Sequence, residues 1–437
     1  MRPFIGAVLA ALAVTCAVAA QAPGTCSPPG TATCDPSGRP VTPPVPGGPA
    51  PVPGGGASPV VETAQSVAAV TATVTLGGGL AVAGAEGIAV DSATGLVYIG
   101  LNGAIVSGCE GDATRAAGRP MAMGPGAGQM SILNPMEARE VTAVRTGQAP
   151  IWPTVDSTRR LVYMMGSGGT GTVNVHNADT GALIRTIVVG GKPHMGGLDF
   201  STGLMVVGNT VRASDVIAEQ NHASVVDTNS NTVKREFETS PAPHGVVVDQ
   251  EGDRIYFSAV GDGAIVAVSA VSGDVLYTGV PNRIYEGFGS NNMLARQAAT
   301  RRLFQVNAQL AARGILVVDE VTLNAEGLIR FNAVPWGMWV DEPNRLLFAA
   351  FPNANAVGVV DLDTLTHVAT VPVGTCPYAV VVDPERRIGV SSNQGSPTEN
   401  ASASIFDLCP VYAVANRIVP GCPANTTLLW NSRRRNR

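Results

Sequence analysis

Charge is scarce in this chain: Asp, Glu, Lys and Arg make up 14% of its 437 residues. That argues against a helical bundle with salt-bridged faces. A net charge of −5 leaves no global basic field for nucleic acid or an anionic membrane, and no basic patch interleaved with aromatics occurs. Also missing are a GxSxG elbow, a phosphate loop, a dinucleotide fingerprint and any CxxC or Cys/His cluster of the zinc kind. The apolar run from Phe4 to Ala20 is too short to be a membrane span. Histidine is rare, with five in all. Glycine is plentiful instead, at 51 residues, and 45% of the chain is hydrophobic. Many short strands joined by glycine turns would use residues in that proportion.

Residues 1–20 read as a secretory signal, with Arg2, the apolar run and Val18-Ala19-Ala20 before Gln21. Cys16 follows Ala13-Val14-Thr15, a poor lipobox. Residues 21–63 are dominated by Pro, Gly, Ser and Thr and cannot bury enough apolar surface to offset their ordering entropy, so they read as a tether. Cys26, Cys34, Cys109, Cys376, Cys409 and Cys422 remain after the signal, an even set that favours disulfides in an exported chain. Fifteen pairings are open; Cys26 with Cys34 and Cys409 with Cys422 are the shortest closures. Asn400-Ala401-Ser402 and Asn425-Thr426-Thr427 match the glycosylation acceptor pattern. The arginines of 433–437 read as a solvated end to a tail that begins at 410. The address expected is secreted, periplasmic or cell-surface.

From residue 64 to 409 one pattern recurs at intervals of roughly 40–50 residues, the mark of stacked supersecondary units. Its anchors are Asp91, Asp156, Asp199, Asp249, Gln297 (a degenerate fifth), Asp341 and Asp383. Each unit has an apolar strand ending at the anchor, a second strand such as RIYFSA (254–259), a third ending in an Asx or Thr turn, and a fourth such as VATVPVG. This predicts an all-β, seven-bladed β-propeller of four-stranded antiparallel blades. The seventh unit lacks a fourth strand, while VAAVTATVTLGGG (67–79) is a fourth strand with no unit before it. Pairing the two closes the ring and removes two exposed edges. Two units carry long insertions, near 107–129 and 210–221.

The repeat resembles the YVTN-type β-propeller: TIVVGGKP and TVPVGTCP fit its closing signature, and Asn209, Asn307 and Asn393 fill its Asn position ten residues after the anchor. The resemblance covers 64–409 and implies the propeller fold. Members of that group include surface-layer-like and periplasmic proteins, lactonase-like hydrolases and subunits of redox enzymes, so it assigns no site.

In a propeller the first strand of each blade lines the central channel, and the residue five before the anchor stands at one mouth. Around the ring that position holds Glu86, Ile151, His194, His244, Asn292, Trp336 and Tyr378. Three readings compete. The imidazoles cap turns; or Glu86, His194, His244, Asn292, Trp336 and Tyr378 form a ligand or catalytic site, with His194 or His244 moving a proton; or His194, His244 and either a carboxylate or His222 hold a transition metal. Met121, Met123, Met130 and Met136 invite a copper reading, but Cys109 is the sole further ligand type nearby and gap-filling packing is the commoner use of Met. Recurrent anchor acids read as turn formers. With Glu86 the one acid in the ring, a paired-carboxylate glycosidase site is not supported. The function expected is a monomeric binding protein holding a small molecule, a carbohydrate or a protein at the channel mouth, without nucleic acid or a membrane span. The alternatives are a lactonase-like or lyase-like enzyme and an adhesive surface protein.

Overall fold

The computed structural model describes residues 64–79, 84–103, 128–147, 149–168, 170–209, 222–239, 242–259, 263–281, 293–307, 314–396 and 398–423, and the backbone at 33–34 and 40–41. The chain divides into two units, Met1–Pro59 and Val60–Arg437. In the first, Thr33–Cys34 pairs antiparallel with Pro40–Val41. The second is a seven-bladed propeller in which every blade has four antiparallel strands, hydrogen-bonded in sequence order in the first six and completed in the seventh by a strand from the start of the unit. The innermost strands are Ala85–Val90, Pro150–Asp156, Pro193–Leu198, Pro243–Asp249, Leu294–Gln297, Met338–Asp341 and Pro377–Asp383. Each ends at, or one residue before, the anchor expected from the repeat.

Burial follows strand position, which explains the residue pattern. Second strands lie inside a blade and between blades, so Leu204–Asn209 and Leu346–Phe351 are buried along their whole length and read as continuous apolar runs. Outermost strands such as Thr232–Glu238 bury no residue fully and carry Lys, Arg and Glu. Glycine lets blades approach: a Cβ on Gly100 or Gly337 would stand 2.7 Å from a backbone oxygen of the next blade, Ile151 O or Tyr378 O.

The ring closes as the sequence predicts. Val70–Thr75 pairs antiparallel with Ser402–Asp407 as the fourth strand of blade seven, with Thr75 opposite Ser402. Just before it, Gln65–Ser66 adds in parallel to Thr366–Pro372 at the outer edge of blade six. The turn after the closing strand is clamped to blade one, because the Gly77 and Gly78 N–H groups donate to the two Glu140 oxygens at 2.9 and 2.7 Å. The glycine run therefore cradles a carboxylate of the chain itself.

The anchors are turn formers, as their recurrence suggests. Asp199 accepts from the Thr202 N–H at 2.8 Å, Asp383 from the Arg386 N–H at 2.9 Å, and Gln297 from the Thr300 hydroxyl at 2.7 Å. Four residues after each anchor the backbone is left-handed: Gly95, Arg160, Gly203, Asp253, Arg301, Arg345 and Arg387 all have φ between 51° and 77°. Glycine takes that conformation freely and the other residues take it at a cost of about 1 kcal/mol.

These turns also tie each blade to its neighbour on this face. Arg160 pairs with Asp91, Arg296 with Asp249, and Arg386 donates to Ser92 O and Ala93 O. Gln250 donates to Leu198 O, and Glu342 accepts from the Ala298 and Ala299 N–H groups. A helix, Leu408–Val414, spans blades six and seven: Tyr412 donates to Asp341 at 2.7 Å, and Arg417 just beyond it pairs with Asp361 at 2.9 Å. Cys409 and Cys422, one of the two shortest closures named above, form a disulfide that staples this segment, with Cα atoms 5.3 Å apart.

Burial would raise the Asp91 carboxyl, but hydrogen bonds from Ser157, Thr94, Arg160 and the Ala93 N–H outweigh it and hold it below the ordinary carboxylate range. A depressed folded value means stability that is present above the unfolded value, near 3.9, and lost as pH falls through the folded one. Asp91→Asn should therefore cost about 2 kcal/mol at pH 7, below the roughly 3–5 kcal/mol for breaking a fully buried pair, because Arg160 keeps Asp179 and is partly exposed. The deficit should shrink at pH 3, below the unfolded value, because there Asp91 of the unfolded chain is largely protonated and folding has to release that proton. Urea midpoints at the two pH values check this; an equal deficit at both would mean the carboxylate charge contributes nothing.

Candidate functional site

The inner strands begin on the face opposite the anchor turns, and there the ladder breaks in five blades. Pro193 pairs with Asn209 and Met195 with Gly208, so His194 is skipped; Tyr378 is skipped between Pro377 and Ala379 in the same way. Register also shifts across Glu86 and Gly87, across Ile151 and Trp152, and across His244 and Gly245. A β-bulge re-aims a side chain by leaving it outside the alternation. Three of these strands are preceded by a non-glycine left-handed residue, Ala149, Ala242 and Cys376, with φ of 48°, 56° and 56°. Such backbone costs on the order of 1–3 kcal/mol and persists only where the surroundings enforce it. In each case a proline follows and begins the strand.

The side chains so aimed meet. The His194 and His244 rings stack with centroids 3.4 Å apart and an interplanar angle of 30°. Trp152 lies 6.3 Å from His194 and 6.4 Å from Tyr378, and Trp336 lies 5.8 Å from Tyr378. Tyr378 Oη stands 3.5 Å from His194 Nε2. His194, His244 and Tyr378 are buried, whereas Trp152 and Trp336 keep part of their surface exposed. Glu86 is buried on the blade-one side of this cluster, where its carboxylate accepts from Asn102 Nδ2. The adjacent Gly87 is pressed against the Trp152 indole, since a Cβ there would lie 2.5 Å from Trp152 Cδ2.

Five rings from five blades thus converge at one end of the channel. The structure brings together His194, His244, Trp336 and Tyr378 from the sequence-derived ring, with Glu86 beside them; Asn292 lies outside the described residues. For blade two the residue named from the repeat, Ile151, is buried away from the rings and its neighbour Trp152 takes the place. The ring-facing residue of blade two therefore stands four residues before Asp156 and not five, within a register shift that spans Ile151 and Trp152 together. A tryptophan next to the expected position was the signal available.

His222 stands apart, on the third strand of blade three, with Nε2 4.0 Å from Glu236 Oε1. His176 is buried in blade two, where desolvation makes it less basic than an ordinary imidazole although its Nδ1 meets Gly181 O at 2.9 Å. His367 packs among Phe331, Phe351 and the Thr370 hydroxyl. Among the described residues no three His, Cys, Asp or Glu side chains converge as metal ligands. The stacked pair also presents ring faces to each other. Nitrogen lone pairs lie in the ring planes, so joint ligation would need the rings to swing apart. Met130 is core in blade one and Met136 is exposed at a turn, while Met121 and Met123 lie outside the described residues. Met164 and Met165 are core. Cys376, immediately before Pro377, is disulfide-bonded.

Fold and site together define a seven-bladed propeller with an aromatic and imidazole cluster at one end of its channel. No protein-family model matches the chain, and no curated protein does. Solved structures do. Hydrazine synthase of Kuenenia stuttgartiensis superposes with a TM-score of 0.57 at 14% identity, over 75% of this chain and 96% of that one. A chain in the crystal structure of a mitotic checkpoint complex superposes with a TM-score of 0.59 at 9% identity, over 82% of this chain and 96% of that one. Identities this low establish the fold alone. Among the described residues no helix is long and apolar enough to cross a membrane.

Proposed function

We propose that this chain is an exported propeller that binds a small ligand at the mouth formed by Glu86, Trp152, His194, His244, Trp336 and Tyr378. The observation that carries the reading is the convergence of rings from blades two, three, four, six and seven, each delivered by a bulge or a connecting segment and not by regular alternation. A few polar groups set among aromatic surfaces are what small-molecule sites use for affinity and orientation. Export is supported by the signal-like residues 1–20 and by the Cys409–Cys422 disulfide. The YVTN-type repeat is the relationship we favour, on the spacing of its closing signature and of Asn209 and Asn393.

One contact favours the enzyme reading as the second: Tyr378 Oη and His194 Nε2, 3.5 Å apart, are a donor and a base that could pass a proton to a bound substrate. The same experiment addresses both. Two of the four tryptophans stand in the mouth, so ligand should shift the intrinsic emission. Screening lactones, sugars and oligosaccharides by emission and thermal shift should find a compound that acts on the wild type and not on a folded Trp152→Ala or His194→Ala/His244→Ala chain. Turnover of a lactone that His194→Ala abolishes would move the assignment to the enzyme. Silence across the whole panel would sink the small-ligand reading and leave the adhesive one.

A further inference from the structure

Away from the mouth, three side chains of blade three meet the glycine pair that follows the outermost strand of blade two. A Cβ on Gly190 would stand 3.3 Å from Glu236 Oε1, and one on Gly191 would stand 2.9 Å from Asn209 Cγ and 3.2 Å from His222 Cε1. His222 Nε2 and Asn209 Oδ1 are both buried, and neither meets a hydrogen-bond partner in the protein. The amide cannot turn over to relieve its oxygen. Its Nδ2 donates to Ser224 Oγ at 2.9 Å and faces Val189 O at 3.5 Å, and a carbonyl only accepts. Buried polar atoms are expected to be satisfied, so these two point to a group that the chain itself does not supply.

Blade seven shows that the repeat does not require such a pair. Asn393 and Ser402 stand opposite each other there as Asn209 and His222 do here. Asn393 Oδ1 accepts from Ser391 Oγ at 3.0 Å, and its Nδ2 donates to Ser402 Oγ at 3.1 Å. Blade three has Val207 in place of the first serine and the imidazole in place of the second. An imidazole nitrogen, a carboxylate oxygen and an amide oxygen are donors that suit a divalent cation of intermediate softness. His222 Nε2 and Glu236 Oε1 lie 4.0 Å apart, a gap that one cation spans at about 2.0–2.2 Å from each. Glu236 is half exposed, which leaves an approach from solvent, and the Ser224 hydroxyl holds it weakly, at 3.5 Å.

We propose that His222, Glu236 and Asn209 hold a divalent transition-metal ion of the zinc or copper kind, with water completing its shell. The test is calorimetric titration of the full chain, without a histidine tag, with zinc, copper(II), calcium and magnesium chlorides. Zinc and copper should bind saturably and stoichiometrically, copper the more tightly; calcium and magnesium, which want a shell of oxygens, should not bind. His222→Ala should abolish the binding. Glu236→Gln, a change on a half-exposed outermost strand, should weaken it at least about tenfold with circular dichroism unchanged. Zinc should also raise the melting temperature of the wild type and leave that of His222→Ala where it was. Absence of saturable zinc or copper binding would overturn the site. Binding as tight in both variants as in the wild type would mean an adventitious ion only. Loss of binding in His194→Ala/His244→Ala and not in His222→Ala would place the metal at the mouth instead, and calcium bound in preference to zinc and copper would refute the class of cation.

Discussion

Deleting residues 1–59 should leave the thermal unfolding of the propeller unchanged, whereas deleting residues 1–76 should abolish its cooperative transition. The first deletion removes one unit of the chain and stops before the second. The next seventeen residues include the strand that completes the ring. Val70–Thr75 covers Ser402–Asp407, whose Ala403, Ile405 and Phe406 are almost wholly buried. The longer deletion also removes Leu76, Val67 and Ala69, all buried, and the Ala69 carbonyl that accepts from the Asp407 N–H at 3.0 Å. Burying one large aliphatic side chain is worth about 1.5–3 kcal/mol, and a newly exposed strand edge adds an aggregation route. Several such losses together exceed the roughly 5–15 kcal/mol by which a folded domain is stable. Scanning calorimetry of both chains, made with their disulfides formed, is decisive. A 77–437 chain that melted at the wild-type temperature would show that six blades and three strands suffice.

The architecture was legible because the repeat writes it seven times. Asp199, Asp249 and Asp383 sit at a turn that only certain side chains close, so their spacing marks the end of each inner strand even where the strand itself varies. Ring closure was legible for the same reason: a missing fourth strand at Asp407 and a surplus one at 67–76 are two halves of one count. What followed the last blade was not. Residues after 409 carry no repeat, and only contacts show that Tyr412 and Arg417 reach Asp341 and Asp361.

The mouth was legible by column and not by geometry. Counting back from the anchors located His194, His244, Trp336 and Tyr378, because all those strands share one length to the channel end. A count cannot register a bulge, so blade two was assigned Ile151 when Trp152 faces the rings. Nor does spacing tell whether neighbouring imidazoles converge on a metal or stack; that depends on side-chain angles set by Pro193 and Pro243 at the strand starts.

Gly171→Ala should cost more than 3 kcal/mol and disturb the mouth without altering any of its rings. Gly171 lies in blade two with φ of 73°, and a Cβ there would stand 1.6 Å from the Gly191 oxygen and 2.9 Å from Pro193 Cδ. The obstacle is backbone of the next blade, so no rotamer relieves it. The segment it would displace is already held from the other side, by the Ser167 hydroxyl donating to Pro193 O at 2.7 Å. Pro193 is the residue before His194, and moving it separates an imidazole pair stacked at 3.4 Å. Two other glycines divide the effect into its parts. Gly79 has φ of 79° and open space around its Cβ position, so Gly79→Ala should show the conformational strain alone, about 1 kcal/mol. Gly327, in an outermost strand with neither positive φ nor a neighbour within 4 Å, should tolerate alanine or gain from it a few tenths of a kcal/mol. Urea denaturation should rank the three as Gly171, Gly79, Gly327, and tryptophan emission of the native state should change in Gly171→Ala alone, because Trp152 packs 6.3 Å from His194. Equal costs for Gly171→Ala and Gly79→Ala would mean that the approach of blades two and three yields to a methyl group, and that the stacking of His194 on His244 is not set by the backbone that leads into it.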